Sequence, residues 1–496
     1  MAGRTRLILA ALCLALSAPA TASASSTMKV GVADDGLMQG PSAEANLAAS
    51  QWRANGVDQS RLMLVWAAIA PNPEKTRPPT GFDPQDPQSS GYDWTKIDRA
   101  VAALKANSIE PTFLLTTPAP IWGSAVPSRR EPTYKPSPSQ FADFVHAVIV
   151  RYGEVVKRYS LINEPNLWHW LTPQWSCTTA DDSSCKAASP AIYRELFRAG
   201  YDEIKLLQPS ASVWGGSLAP VGTSSRADPH SSLAPLNFLR RLGCVKENFT
   251  RDRTSSGCRD FTPLTVDAIA HHPHTAWMAP RQRPSDADSV TVGTLSRLTK
   301  TLDRIQARGG IRNGSQAGAA ARTRPLEVEI DEFGIQTDPP DQWSGVSLRL
   351  QSDYLQEIAF LLWKNPRVKL FTQYLWRDEP LDKVSITTGS WQSGLYFADG
   401  EPKPSAGTFS SPFWVELAKH SGRATVWGQV RPGGATEVTV QSRSAGSARF
   451  SAFRTETTNN AGYFHFTTTV RKRTSFRFFY GPGNVNASSV RTVTPH

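Results

Sequence analysis

The sequence predicts a closed (β/α)8 barrel of the TIM type followed by a small all-β, Ig-like sandwich, on three observations. From Met28 to about Ser405, short apolar strands alternate with loops rich in Gly, Pro or aromatics and with amphipathic stretches, giving eight strand candidates. No GxGxxG or P-loop follows the first strand, which disfavours the competing open, doubly wound sheet. After about His420 the helical pattern stops and short alternating strands take over. Strands alternating with helices call for a parallel sheet, and eight such units in somewhat more than the usual ~250 residues describe a barrel with long loops.

The first 24 residues read as a secretory leader. Arg4 and Arg6 precede an apolar run from Leu7 to Leu16, and small residues end in Ala22-Ser23-Ala24. That run is too short to span a membrane and no later stretch suffices, so the chain is expected to be secreted.

The strand candidates follow in order: MKVGVADD, SRLMLVWAAI, IEPTFLLTTP, YSLINEPN, ASVWGGSLAP, VDAIAHHPH, LEVEIDEFG and KLFTQYLWRDEP. Between them lie YDWTKIDRAVAALKANS, FADFVHAVIVRYGE, AIYRELFRAGYDEIKLLQP, VGTLSRLTKTLDRIQARG and QSDYLQEIAFLLWKN, whose apolar residues recur at three and four, the helical period. The barrel is expected over 28–418 and the β module over 419–496. In the latter, Pro432-Gly433-Gly434, Ser444-Ala445-Gly446 and Asn459 to Gly462 mark turns between short strands. Its VWGQVRPGG resembles the opening of Ig-like modules appended to secreted enzymes. A packing role is expected of it ahead of a dedicated carbohydrate-binding one.

In such a barrel, function collects where strands end. The ends here carry Trp66, Trp122, Asn163 with Glu164, Trp214, His272 with His274, Glu332, and Trp376 with Arg377 and Asp378. Tyr159 to Ile162 read as a strand, and Pro165 cannot donate to a ladder, so the strand stops beside Glu164 and sets that carboxylate on a rim. In LEVEIDEFGIQT, Glu332 ends the face opposite Glu327, Glu329 and Asp331, and Gly334 gives the chain room to turn. As ends of the fourth and seventh strands, the two glutamates look across one pocket. The rim tryptophans offer flat apolar faces and N–H donors suited to sugar rings. Paired carboxylates among aromatics point to glycosidic bond cleavage, retaining in outcome if they stand ~5–5.5 Å apart.

NEP closing strand four, EFG closing strand seven, an Arg in strand two and a Trp ending strand eight together resemble clan A of the glycoside hydrolases. The finer texture of NEPNLWHWL, YRELFRAGYDEIKLLQPSASVWGG and DAIAHHPH looks most like family 39 and its relatives in family 5. The resemblance covers 28–405. It implies that Glu164 is the acid/base, that Asn163 binds the sugar 2-hydroxyl, and that Glu332 is the nucleophile. It also implies Arg61 beside Glu332, His272 and His274 flanking the carboxylates, and Trp376 flooring the subsite of the cleaved sugar. Two positions depart from the family pattern: many members have Tyr where His274 aligns, and an aromatic or Thr where Asp331 precedes the nucleophile. The loop from Leu171 to Lys186 looks specific to a subgroup.

The expected partner is a β-linked oligo- or polysaccharide, and no metal or organic cofactor is signalled. A metal-dependent hydrolase built on His271, His272 and His274 is the alternative on the same fold. Successive strand residues face opposite ways, however, and barrel metal sites draw ligands from several strands. A non-catalytic polysaccharide-binding barrel is the other alternative. It would need one of the two glutamates replaced, and both are present.

Of five cysteines, Cys13 belongs to the leader. Cys177, Cys185, Cys244 and Cys258 form two local couples in polar segments, which suits two disulfides in an oxidising compartment; the CxxC spacing of zinc sites is absent. The formal charge is +11. Its Lys and Arg are scattered apart from RKR at 471–473, no nucleic-acid module is legible, and a soluble monomer with some attraction to acidic polysaccharide is expected.

Overall fold

The computed structural model describes residues 24–177, 185–224, 230–255, 257–381 and 390–495. Of the expected leader, only Ala24 lies among them. Eight parallel strands close a barrel in chain order: β1 (Lys29–Ala33), β2 (Gln59–Val65), β3 (Glu110–Thr116), β4 (Arg158–Leu161), β5 (Ser212–Leu218), β6 (Ala268–His271), β7 (Glu327–Phe333) and β8 (Val368–Tyr374). The ring shuts where Lys29 to Ala33 pair in register with Leu370 to Tyr374.

Barrel strands are covered on both faces, so they read as apolar runs; β3 is buried from Pro111 to Thr116. The inward face fills the barrel, where Trp214 packs with Ala268, Ala270 and Leu370. Two alanines opposite one indole keep that interior filled without overlap. The outward face meets the helices α1 (Ser42–Ala54), α2 (Thr95–Ala106), α3 (Pro138–Tyr152), α4 (Ser189–Leu207), α5 (Pro235–Leu242), α6 (Leu295–Ala307) and α7 (Leu348–Trp363). In α4, Pro190 sits in the first turn, where its missing N–H costs nothing. Buried Tyr193, Leu196, Phe197, Gly200 and Ile204 then make the stripe that faces the sheet. No described helix is long and apolar enough to cross a membrane.

The C-terminal strands are β9 (Phe413–Leu417), β10 (Arg423–Gln429), β11 (Glu437–Ser444), β12 (Ser451–Thr457), β13 (Tyr463–Thr469), β14 (Thr474–Tyr480), β15 (Asn486–Ala487) and β16 (Arg491–Val493). They form two antiparallel sheets, β9-β10-β13 and β12-β11-β14 with β15 and β16 on β14. Phe413, Val426, Val438, Val440, Phe464, Phe476 and Phe478 share one core. The first strand, β9, pairs with β10, so these sheets begin ahead of residue 419.

The two parts meet across an apolar seam. Trp427 of β10 is fully buried among Phe360 and Trp363 of α7 and Tyr463 of β13, with ring centroids 5.8, 5.9 and 6.1 Å away. The Tyr463 hydroxyl donates to the Met28 carbonyl at 3.0 Å. Arg431 is buried beside them; its guanidinium donates to Phe409 O and Gln429 Oε1, both at 2.8 Å, and burial pulls its pKa down to about 10.

Cys177 is joined to Cys185 and Cys244 to Cys258, with Cα atoms 4.1 and 5.6 Å apart. Residues 178–184, within the first of these loops, lie outside the described residues.

Candidate active site

Glu164 is set on the mouth of the barrel by an irregular backbone. Ile162 adopts φ +62° and Glu164 φ +36°, a region non-glycine residues seldom enter and β-branched ones least of all. Neighbouring strands hold the chain there: the Asn163 N–H donates to Thr116 Oγ1 and the Glu164 N–H to the Ser217 carbonyl, each at 2.9 Å. Such conformations persist only where the surroundings over-determine them. Asn163 is buried, and its Oδ1 has no hydrogen-bond partner among the described residues, which leaves an acceptor open to a ligand.

Glu332 reaches the same mouth through a break in alternation. Glu329 pairs with Ala270 and Leu370 of the barrel interior, so Glu329 and Asp331 point inward and strict alternation would turn Glu332 toward the helices. The register of β7 against β8 shifts between Ile330 and Phe333. A shift of this kind re-aims a side chain, and here both Asp331 and Glu332 end beside His272. A Cβ on Gly334 would overlap the Tyr374 carbonyl, so only glycine lets β7 leave the barrel this close to β8.

His272 lies between three carboxylate oxygens of three residues. Its Nδ1 is 3.0 Å from Glu164 Oε1 and 4.0 Å from Glu332 Oε2, and its Nε2 is 3.2 Å from Asp331 Oδ1 in an ion pair off the line of a good hydrogen bond. Asp331 is itself fully buried and accepts from Ser217 Oγ at 2.8 Å. Burial, the largest influence, favours neutral His272, but the anions of Glu332 and Asp331 and the hydrogen bond to Glu164 outweigh it and raise its pKa to about 10. Its chain neighbour His271 faces the other way, donates Nε2–H to the Val290 carbonyl at 3.0 Å, and is pulled by burial to about 3.

Arg61 of β2 places Nη1 2.7 Å from Glu332 Oε2, and His274 Nε2 is 3.3 Å from Glu332 Oε1. Burial pushes the Glu332 pKa up; His272, Arg61 and His274 together hold it well below the usual carboxylate range. Arg61, in turn, is held above its ordinary value by Glu332 and Asp35 against the strong opposing effect of burial. Glu332 is therefore an ionised carboxylate at neutral pH, gripped on both oxygens.

The seven residues expected to bind substrate or flank the pair, Asn163, Arg61, His272 and His274 with Trp66, Trp122 and Trp376, separate into two groups. The first four gather round Glu164 and Glu332 as described. The tryptophans do not. Trp66 is fully buried against Trp122, Phe141 and Phe144, and Trp122 donates its indole N–H to the Pro71 carbonyl at 2.9 Å. Trp376 packs on Trp52, Tyr396 and Phe409 and donates to Gln51 Oε1 at 3.3 Å. All three leave their strands on turns that carry them outward into the helical layer, where burying a whole indole stabilises more than half-burying it at the mouth.

Beside Arg61 and His274 stand instead Tyr374 and Trp391, which the sequence reading missed. Tyr374, the last residue of β8, has the Arg61 guanidinium 5.9 Å from its ring and Trp391 at 5.5 Å edge-on; Trp391 also lies 5.4 Å from His274. Burial, with the anions of Glu332 and Glu379, raises the Tyr374 pKa far above its ordinary value, so its hydroxyl stays a donor. The signal was present in KLFTQYLW, where the strand-end rule fits Tyr374 as well as Trp376. Further out, Trp168, Trp277 and Trp343 are 40, 65 and 73% exposed on the loops that follow β4, β6 and β7.

His272, His274 and Glu332 bring potential ligand atoms within 4.8 Å of one another. Arg61 and the His272 imidazolium already supply positive charge to that carboxylate, so a metal ion would have to displace both. The donor set suits an anion balanced by protein cations rather than a bound metal.

No protein-family model and no curated protein matches the sequence. Among solved structures, the chain is similar to a family 39 glycoside hydrolase from the gut symbiont Bacteroides cellulosilyticus WH2: 14% identity, TM-score 0.51, covering 92% of this chain and 81% of that one. It is also similar to a glucosidase from Croceicoccus marinus (9% identity, TM-score 0.48, 90% of this chain and 94% of that one) and to xylanase 10B from Thermotoga maritima (15%, 0.43, 77% and 93%). At these identities the first likeness bears on the fold alone.

Proposed function

We propose that the protein is a secreted, monomeric retaining glycoside hydrolase acting on a β-linked oligo- or polysaccharide. Glu332 is its nucleophile and Glu164 its acid/base. The observation that carries this reading is the bridge through His272: with Nδ1 3.0 Å from one carboxylate and 4.0 Å from the other, those two oxygens can be no more than 7.0 Å apart. That bound takes in the whole of the ~5–5.5 Å spacing of retaining enzymes and excludes all but the low end of the ~6.5–9.5 Å that inverting ones need to seat a water between their carboxyls.

In the first step a Glu332 oxygen attacks the anomeric carbon, the bond to the leaving oxygen breaks, and Glu164 gives that oxygen a proton. His272 occupies Glu164 Oε1, so Oε2 is the oxygen that carries the proton. Once Glu332 is esterified its charge is gone, and Glu164 takes a proton from the water that attacks the same carbon, which frees Glu332. Asn163 Oδ1 accepts from the 2-hydroxyl. Tyr374, Trp391 and His274 enclose the sugar, and the exposed Trp168, Trp277 and Trp343 offer faces to further sugars of a longer substrate.

The test is azide rescue with an aryl β-glycoside whose leaving group needs no proton. Glu164→Ala should yield the β-azide with retained configuration and Glu332→Ala the inverted α-azide. Exchanged products would exchange the roles, and unchanged hydrolysis in both variants would remove the glycosidase reading.

A further inference from the structure

The charge of this chain is unevenly placed. Residues 413–496 hold eleven Lys and Arg against three Glu and no Asp, which accounts for +8 of the chain's +11. Cations that are scattered along the sequence are gathered by the fold at one end of the sandwich. Arg443 lies at the end of β11, Arg449 and Phe450 in the turn to β12, Arg471, Lys472 and Arg473 in the turn from β13 to β14, and Arg477 on β14. The Ala445 N–H donates to the Arg473 carbonyl at 2.8 Å, which fixes the two turns side by side.

Phe450 holds two of these charges in place. The Arg443 and Arg477 guanidinium groups lie 4.7 and 4.2 Å from its centroid, and Arg477 also stands 4.7 Å from Phe479 while donating Nε and Nη2 to Gln441 Oε1 at 3.1 and 2.9 Å. The acids are elsewhere. Glu437 and Glu456 occupy the opposite end of β11 and β12, and Glu416 is engaged by Arg281 and Lys364. None of the six cations of this end forms an ion pair among the described residues. Like charges this close repel and cost stability, a cost that the roughly 0.5–1 kcal/mol of each exposed cation–π contact offsets only in part.

We propose that this end of the sandwich binds an acidic polysaccharide. Fixed guanidinium forks take carboxylate or sulfate oxygens in pairs, and the clamp on Phe450 removes the entropy cost of ordering them. Phe450 and Phe479 each carry a guanidinium, so neither is a free platform for a nucleobase, which argues against single-stranded nucleic acid. The choice of polysaccharide rests on the glycosidase reading of the barrel; the anion-binding end itself does not. The surface would keep the enzyme on its polymer while the barrel works on the chain.

Affinity electrophoresis of the full chain tests this, in gels containing polygalacturonate, dextran sulfate or neutral dextran, with duplex DNA as competitor. One or both polyanions should retard the protein and dextran should not. The triple variant Arg471→Gln, Lys472→Gln, Arg473→Gln should weaken retardation at least about tenfold, and Phe450→Leu, which changes no charge, about threefold. Turnover of a small aryl glycoside should be unaltered in both, which separates failure here from failure of the barrel reading. No retardation by either polyanion, equal retardation by dextran, stronger binding to DNA than to both polysaccharides, or an undiminished triple variant would overturn the proposal. The triple variant lies wholly in an exposed turn and decides the matter if Phe450→Leu lowers the thermal transition.

Discussion

The barrel mouth and the seam beneath the sandwich are both buried, yet they are built on opposite principles. At the mouth, Arg61, His272, Asp331 and Glu332 are packed together as charges, and Ile162 and Glu164 sit at positive φ. At the seam, Trp427, Trp363, Phe360 and Tyr463 meet as rings, and the buried Arg431 donates Nε and Nη1 to neutral oxygens. Buried charge is a poor way to gain stability, whereas buried rings are a good one. The contrast teaches that the mouth is organised for a ligand and the seam for holding two sheets and a barrel together, so substitutions in the two places should fail in different assays.

The largest effect belongs to the mouth. Glu332→Gln should cut turnover on aryl glycosides on the order of 10⁴-fold or more, the scale on which loss of a nucleophile is felt, with the protein still folded by circular dichroism. Retained turnover would remove Glu332 from the mechanism. At the seam, Trp427→Ala should cost about 3–5 kcal/mol in a denaturant titration and leave kcat/KM of the folded fraction unchanged; a large fall in kcat/KM would mean that the seam shapes the mouth. Opening one disulfide loop, by Cys244→Ser with Cys258→Ser, should cost roughly 2–3 kcal/mol on the chain-entropy account.

A subtler test uses pH. His272 is raised to about 10 in the folded chain from an ordinary 6.5, so the stability it contributes is complete below pH 6.5 and is lost as pH rises toward 10. Asp331→Asn removes one of the anions that hold the proton. The alkaline loss of stability should then begin at lower pH, with the basic limb of kcat/KM moving down by about one unit or more. An unmoved basic limb would deny Asp331 this role. Smallest of all, Trp376→Phe should cost only about 1 kcal/mol and leave KM alone, while Trp391→Ala should raise KM; the reverse result would return Trp376 to the pocket.

Much of this contrast was legible along the chain. The eight strand segments, the end of strand four at Pro165, and the glutamates at two strand ends follow from local rules, because period, proline chemistry and strand length act over a few residues. The tryptophans were misplaced because the same rules stop at the last strand residue. What Trp66, Trp122 and Trp376 touch depends on turns whose direction is set by neighbours far along the chain, such as Asp34 accepting the Trp376 N–H at 3.2 Å. The alternation rule also ran out at Glu332, where the shift against β8 decides which way the side chain points.

By itself, then, the sequence determined the alternation of strands and helices, the helix-free texture of the last eighty or so residues, and which residue types stand at the strand ends, since these are properties of short segments and their composition. Only the tertiary structure decided that His272 stands between Glu164, Glu332 and Asp331, that Tyr374 and Trp391 rather than Trp376 stand beside Arg61 and His274, and that dispersed arginines converge on Phe450. Each of those facts joins residues tens to hundreds of positions apart, and a charge or a ring acquires its role from the partners that folding brings within a few ångströms.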